Sequence, residues 1–111
     1  MAKKQIELIV NKYVSAIMAK NIRIEKAILF GSYAKGNANK NSDIDIALIS
    51  PDFGKDYFEE AVMLKEISEA IDIDISPRPY SIDEYEKADP GQFLYDEIIK
   101  KGRLIVTIQM P

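Results

Sequence analysis

"LFGSYAKGNANKNSDIDIALI", Leu29 to Ile49, decides how this chain is read. One apolar run stops at Gly31-Ser32. A polar loop rich in Asn and Gly follows, and the next apolar run is interrupted by Asp43 and Asp45. Aspartate is a poor strand former and is seldom fully buried without a partner. Two of them inside an Ile-rich strand would cost stability unless something positive sits there.

Residues two apart on a strand share a face, so Asp43 and Asp45 project together while Ile44, Ile46 and Leu48 turn to the core. A strand rise of about 6–7 Å separates the two carboxylates. That spacing suits one or two divalent cations, held between the aspartates and a ligand's oxygens. Two-metal phosphoryl or nucleotidyl transfer clamps the attacking and leaving oxygens in this way. Mg²⁺ commonly takes one or two carboxylates and completes its shell with phosphate oxygens. Gly31-Ser32 supplies the other half. Gly31, without a side chain, lets a ligand approach the backbone. Ser32 offers a hydroxyl and an amide where a helical turn begins, and such amides bind phosphate oxygens. Gly36 adds a second flexible point, and Lys35 and Lys40 add positive charge nearby.

Composition restricts the chemistry. The 111 residues are 47% hydrophobic and 30% charged, as expected of one globular domain spanning 1–111. There is no Cys and no His. Thiol nucleophiles, imidazole bases and His- or Cys-bound zinc are therefore excluded, leaving carboxylates, hydroxyls, Lys, Arg and backbone amides, with a hard metal if any. The net charge of −3 counts against a nucleic-acid partner. No targeting segment is visible and no apolar run approaches membrane-spanning length, so the expected location is the cytoplasm. An oligomer is compatible with the sequence.

The rest of the chain reads as alternating helices and strands. Ile6, Ile9, Val10, Tyr13, Val14, Ile17 and Met18 fall at helical spacing within Gln5–Lys20. Strands are expected at Ala27–Phe30 and Asp43–Ser50. A helix is expected over Tyr57–Ala70, with Phe58, Ala61, Val62, Leu64, Ile67 and Ser68 inward. "IDIDIS", Ile71–Ser76, alternates strictly and reads as a third strand ended by Pro77 and Pro79. Ser81 with Glu84 forms a capping-box pattern for a short helix to Lys87. A further helix over Gln92–Lys101 closes at Gly102, and a final strand covers Arg103–Ile108. The fold class is α/β (α+β), a small mixed β-sheet with helices packed on it.

Gly31-Ser32, ten intervening residues, then Asp43-Ile44-Asp45 resembles the signature of the DNA polymerase beta-like nucleotidyltransferase superfamily, and most closely its minimal nucleotidyltransferases. The similarity is strongest over Ala27–Ser76. It implies a nucleotidyltransferase fold and Mg²⁺-dependent transfer of a nucleoside monophosphate, usually AMP from ATP, to an acceptor hydroxyl. Asp43 and Asp45 would hold two Mg²⁺ ions, and Gly31, Ser32 and Lys35 the nucleotide. The resemblance also implies a third carboxylate on the following strand. Asp72 and Asp74 both offer one, on what alternation makes a single face; nearness to the strand's end favours Asp74 as catalytic and metal-binding residue. Some relatives carry that acid closer to the proline, where this chain has Ser76. Many minimal relatives are antitoxins of small helical HEPN-type RNase toxins, and some modify a toxin tyrosine with AMP. A HEPN-type partner protein is thus implied as acceptor. The competing reading is a non-catalytic antitoxin that neutralises its partner by covering it. Arg78, between two prolines, reads either as a triphosphate ligand or as part of a plain turn.

Overall fold

The structure is a computed structural model and describes residues 1–108. The apolar stripe near the N-terminus becomes helix α1, Lys3–Met18, which buries Ile6, Val10, Tyr13, Val14 and Ile17. Strand β1 is Lys26–Phe30, the short helix α2 is Ser32–Lys35 and strand β2 is Ile44–Ser50. Helix α3, Tyr57–Glu69, is capped by Asp56, whose carboxylate accepts from the Glu59 N–H at 3.2 Å. Strand β3 is Ile75–Ser81 and helix α4 is Ile82–Glu86, opened by the Ser81/Glu84 capping box. Leu94–Lys100 forms a π-helix, α5, and Arg103–Thr107 forms strand β4.

The four strands lie in the order β3-β2-β1-β4. β1 runs antiparallel to β2 and β4, while β2 and β3 are parallel, so the sheet is mixed as expected. Helices cover both faces. On one, α1 and α3 pack over Ala27, Leu29, Ile44, Ile46, Leu48 and Ile75. On the other, Leu94 and Ile98 of α5 pack over Ile28, Phe30, Ala47 and Ile49. The Tyr13 hydroxyl ties α1 to α3 by donating to the Leu64 carbonyl oxygen at 2.6 Å, and burial pushes its phenol well up. Among the described residues no helix is long and apolar enough to cross a membrane.

Two expectations need correction. The third strand is not Ile71–Ser76: residues 71–74 form a turn, and the strand runs through both prolines. The Ile44 N–H donates to the Asp74 carbonyl oxygen at 2.8 Å, so even-numbered residues aim their backbone at β2 and odd-numbered ones at the open edge. Pro77 and Pro79 are odd-numbered, and an edge strand loses no ladder bond to a proline on its outer side. Lys65 partly covers that edge, donating to the carbonyl oxygen of Ile75 at 2.6 Å. Helix α3 is also rotated from its expected facing. It buries Leu64 and Ser68, whereas Phe58 is 71% exposed and Val62 is exposed too.

Candidate active site

The sheet brings the two halves of the Leu29–Ile49 stretch to one place. Phe30, the last residue of β1, pairs with Asp45 near the start of β2. The chain turns at Gly31 with φ 71 and ψ −149, a conformation essentially restricted to glycine. A Cβ built on Gly31 would collide with the Asp45 carboxylate. The carboxylate therefore lies directly against the backbone of the glycine-serine turn, and Gly31 is required both by its dihedrals and by this approach. Ser32 opens α2, and Gly36 closes it in the left-handed conformation, donating its N–H to the Ser32 carbonyl oxygen. The following loop is braced locally: the Asn39 N–H donates to Ser42 Oγ at 2.9 Å and the Asn41 N–H to Asn39 Oδ1 at 2.8 Å.

Asp43 stands exposed just ahead of β2, and Asp45 is half-buried within it, flanking the fully buried Ile44. Burial first, and the charge of Asp43 second, push the Asp45 carboxyl above the usual carboxylate range; Arg78 acts in the opposite sense. A divalent cation would relieve the repulsion, and a pair of hard oxygen donors fits Mg²⁺, which commonly takes no more than two protein carboxylates.

Neither candidate for the third carboxylate is the residue paired with Asp45. Asp45 pairs with Ser76 across the parallel ladder, and paired residues of parallel strands share a face. The side chain beside Asp45 is thus a hydroxyl. Asp74 is exposed in the turn ahead of β3, and its N–H donates to Asp72 Oδ1 at 2.9 Å, so Asp72 serves that turn. The two acids do not share a strand face, because residues 71–74 are not strand. Among the described residues no group of three or more acidic side chains is placed to hold a metal ion.

The cations are distributed unexpectedly. Lys35 Nζ lies 2.8 Å from Glu97 Oε1 on α5, and Lys101 Nζ lies 2.9 Å from the other oxygen. These two lysines hold the Glu97 carboxyl down to about 2. Lys40 is exposed in the loop. Arg78 is not in a plain turn. It belongs to β3, paired with Ala47, on the same face as Asp45. Its guanidinium sits 4.4 Å above the Phe93 ring. Phe93, which sequence reasoning missed, also lines an open pocket of about 460 Å³ with Tyr80, Glu84, Lys87, Gln92 and Leu94. Its only trace in the sequence was an aromatic residue at a helix start, since the residues it touches are remote along the chain.

A four-stranded mixed sheet that sets a glycine-serine helix start against an Asp-x-Asp strand defines the nucleotidyltransferase fold class. The chain belongs to the polymerase beta nucleotidyltransferase family, whose model matches residues 12–110. It is 44% identical over 52 residues to a Methanocaldococcus jannaschii protein named "Putative protein adenylyltransferase". That match covers 46% of this chain, and it spans about half the length of that relative, 51%. Two solved structures share the fold. One is a toxin–antitoxin crystal structure with AMP-PNP, with TM-score 0.63 and 24% identity over 89% of this chain and 73% of that one. The other is a tri-AMPylated Shewanella oneidensis HEPN toxin in complex with an MNT antitoxin, with TM-score 0.60 and 20% identity over 93% of this chain and 73% of that one.

Proposed function

We propose that this protein is a Mg²⁺-dependent adenylyltransferase that moves AMP from ATP to a hydroxyl on a partner protein, in the cytoplasm, and that the partner is a small helical HEPN-type toxin. The observation that carries this reading is the contact between the Asp45 carboxylate and the Gly31 backbone. It sets the turn that would bind phosphate directly against the strand that would bind metal. In the reaction the acceptor oxygen forms a bond to the α-phosphorus, the bond from that phosphorus to the β-phosphate bridging oxygen breaks, and pyrophosphate leaves. Asp43 and Asp45 would hold Mg²⁺, which when bound neutralises phosphate charge and polarises the phosphoryl oxygens. Gly31 and Ser32 receive the phosphates through the backbone and the Ser32 hydroxyl. Asp74, exposed in the turn ahead of β3, would take the acceptor's proton. Positioning and charge neutralisation dominate such a reaction, consistent with a site that lacks His and Cys.

The names of the relatives support AMP transfer and a HEPN partner, as does the fold shared with the HEPN toxin–MNT antitoxin complex. The test is incubation with the co-purified partner, ATP and Mg²⁺, followed by intact-mass analysis. Addition of AMP to the partner, absent with Asp43→Asn or Asp45→Asn, is the expected result. A second reading is favoured by Ser76 standing beside Asp45: an antitoxin that binds nucleotide and partner but transfers little. It predicts unchanged partner mass together with full neutralisation of toxin activity by Asp45→Asn.

A further inference from the structure

Phosphate needs positive charge, and the sequence offered Lys35 for that role. In the structure Lys35 is compensated by Glu97, which it shares with Lys101. Arg78 forms no ion pair among the described residues. It lies one same-face position along β3 from Ser76, the partner of Asp45, and on the carboxylate face of the sheet. Its charge reaches Asp45.

What fixes Arg78 is aromatic. The guanidinium lies over the Phe93 ring at 4.4 Å, and its Nη1 is 3.5 Å from the Tyr80 hydroxyl. Phe93 is itself braced edge-on by Phe30, with centroids 5.9 Å apart at 83°. Phe30 is the residue paired with Asp45. Asp45, Phe30, Phe93 and Arg78 therefore form one connected path on this face of the sheet. A stacked guanidinium uses its face on the ring and keeps its N–H edge for ligands. That edge matches the bidentate geometry of phosphate oxygens.

We propose that Arg78, held by Phe93, is the side chain that binds the β- and γ-phosphates of the donor nucleotide. The inference rests on the nucleotidyl-transfer reading and adds to it a donor-recognition residue and its positioning partner. Arg78→Gln is expected to weaken Mg-ATP binding by about tenfold or more, the loss typical of a hydrogen-bonded charge. AMP, which lacks the β- and γ-phosphates, should bind Arg78→Gln and wild type alike. Arg78→Lys should recover only part of the loss, because an ammonium neither stacks nor pairs bidentately. Phe93→Leu should fall between Arg78→Gln and wild type, with Phe93→Tyr close to wild type.

Calorimetric titrations of the full chain with ATP and with AMP in Mg²⁺, with melting curves of each variant, decide the matter. Wild-type ATP affinity in Arg78→Gln overturns the proposal. So does an equal loss for ATP and AMP accompanied by a lowered melting temperature, the mark of a structural arginine. If wild type binds Mg-ATP, Asp45→Asn does not and Arg78→Gln does, this proposal alone fails. If wild type itself binds none, the nucleotidyl-transfer reading fails with it.

Discussion

At the scale of single residues, Gly31 and Asp45 carry opposite demands. Gly31 adopts φ 71 against the Asp45 carboxylate. Gly31→Ala forces an L-residue into a disfavoured region, at a cost of about 1–3 kcal/mol, and also displaces Asp45. A lowered melting temperature and lost Mg-ATP binding are expected together; retained Mg-ATP affinity would show that the turn does not hold phosphate. For Asp45 the signs reverse. Its folded-state carboxyl is raised by burial and by Asp43. The charged form is therefore the less stable one in the folded protein, and its cost appears as pH rises through the ordinary value of 3.8 toward the raised one. Asp45→Asn should melt at or above the wild type near neutral pH without ligand, and the difference should vanish below the ordinary value. Mg²⁺ with ATP should stabilise the wild type and leave the variant unchanged. Thermal melts across pH measure both effects. A ligand-free Asp45→Asn that melts far below the wild type would make the aspartate a structural partner instead.

At the scale of elements, β3 and α5 arrange the site. β3 brings Ser76 and Arg78 to the Asp45 face only because its two prolines point to the open edge. α5 supplies Phe93 at its N-cap, and its π-helical winding ends against Gly102. A Cβ on Gly102 would meet the Ile98 carbonyl oxygen and approach Ile28 Cγ2 to 2.7 Å. Gly102→Ala should cost about 1–3 kcal/mol as an overpacked contact between α5 and β1. Denaturant melts report that loss. If α5 orders the site, Mg-ATP affinity should also fall, although position 102 touches no proposed ligand.

At the scale of the whole molecule, the layers are locked by contacts between remote segments. Tyr13 is fully buried with its hydroxyl on the Leu64 carbonyl oxygen, binding α1 to α3 across 51 positions of sequence. Tyr13→Phe keeps the ring but leaves that carbonyl oxygen without its donor, a loss of about 1–3 kcal/mol. The melting temperature should drop by roughly 4–8 °C per kcal/mol for a domain of this size. Because Tyr13 lies on the face opposite the candidate site, Mg-ATP affinity below the melting range should be unchanged. A change would couple the α1–α3 layer to the candidate site.

The sequence by itself determined whatever depends on neighbours along the chain. Alternation placed Asp45 on the face opposite Ile44 and Ile46, the helical stripe placed α1, and the capping box placed α4. The glycine-serine turn at its fixed distance from the aspartates made the fold class legible. Tertiary structure alone decided which strand lies beside Asp45 and in which register. The strict alternation of "IDIDIS" satisfies a strand pattern, yet it is pairing with β2 that starts the strand at Ile75, leaves Asp72 and Asp74 in a turn and sets Ser76 beside Asp45. Local spacing could not show that prolines tolerated on an outer edge would extend this strand, nor that Glu97 would take Lys35 and Phe93 would hold Arg78. These contacts join segments separated by long stretches of chain. Their energy comes from burial and charge pairing that exist only once the sheet has closed, and no periodicity in the sequence records them.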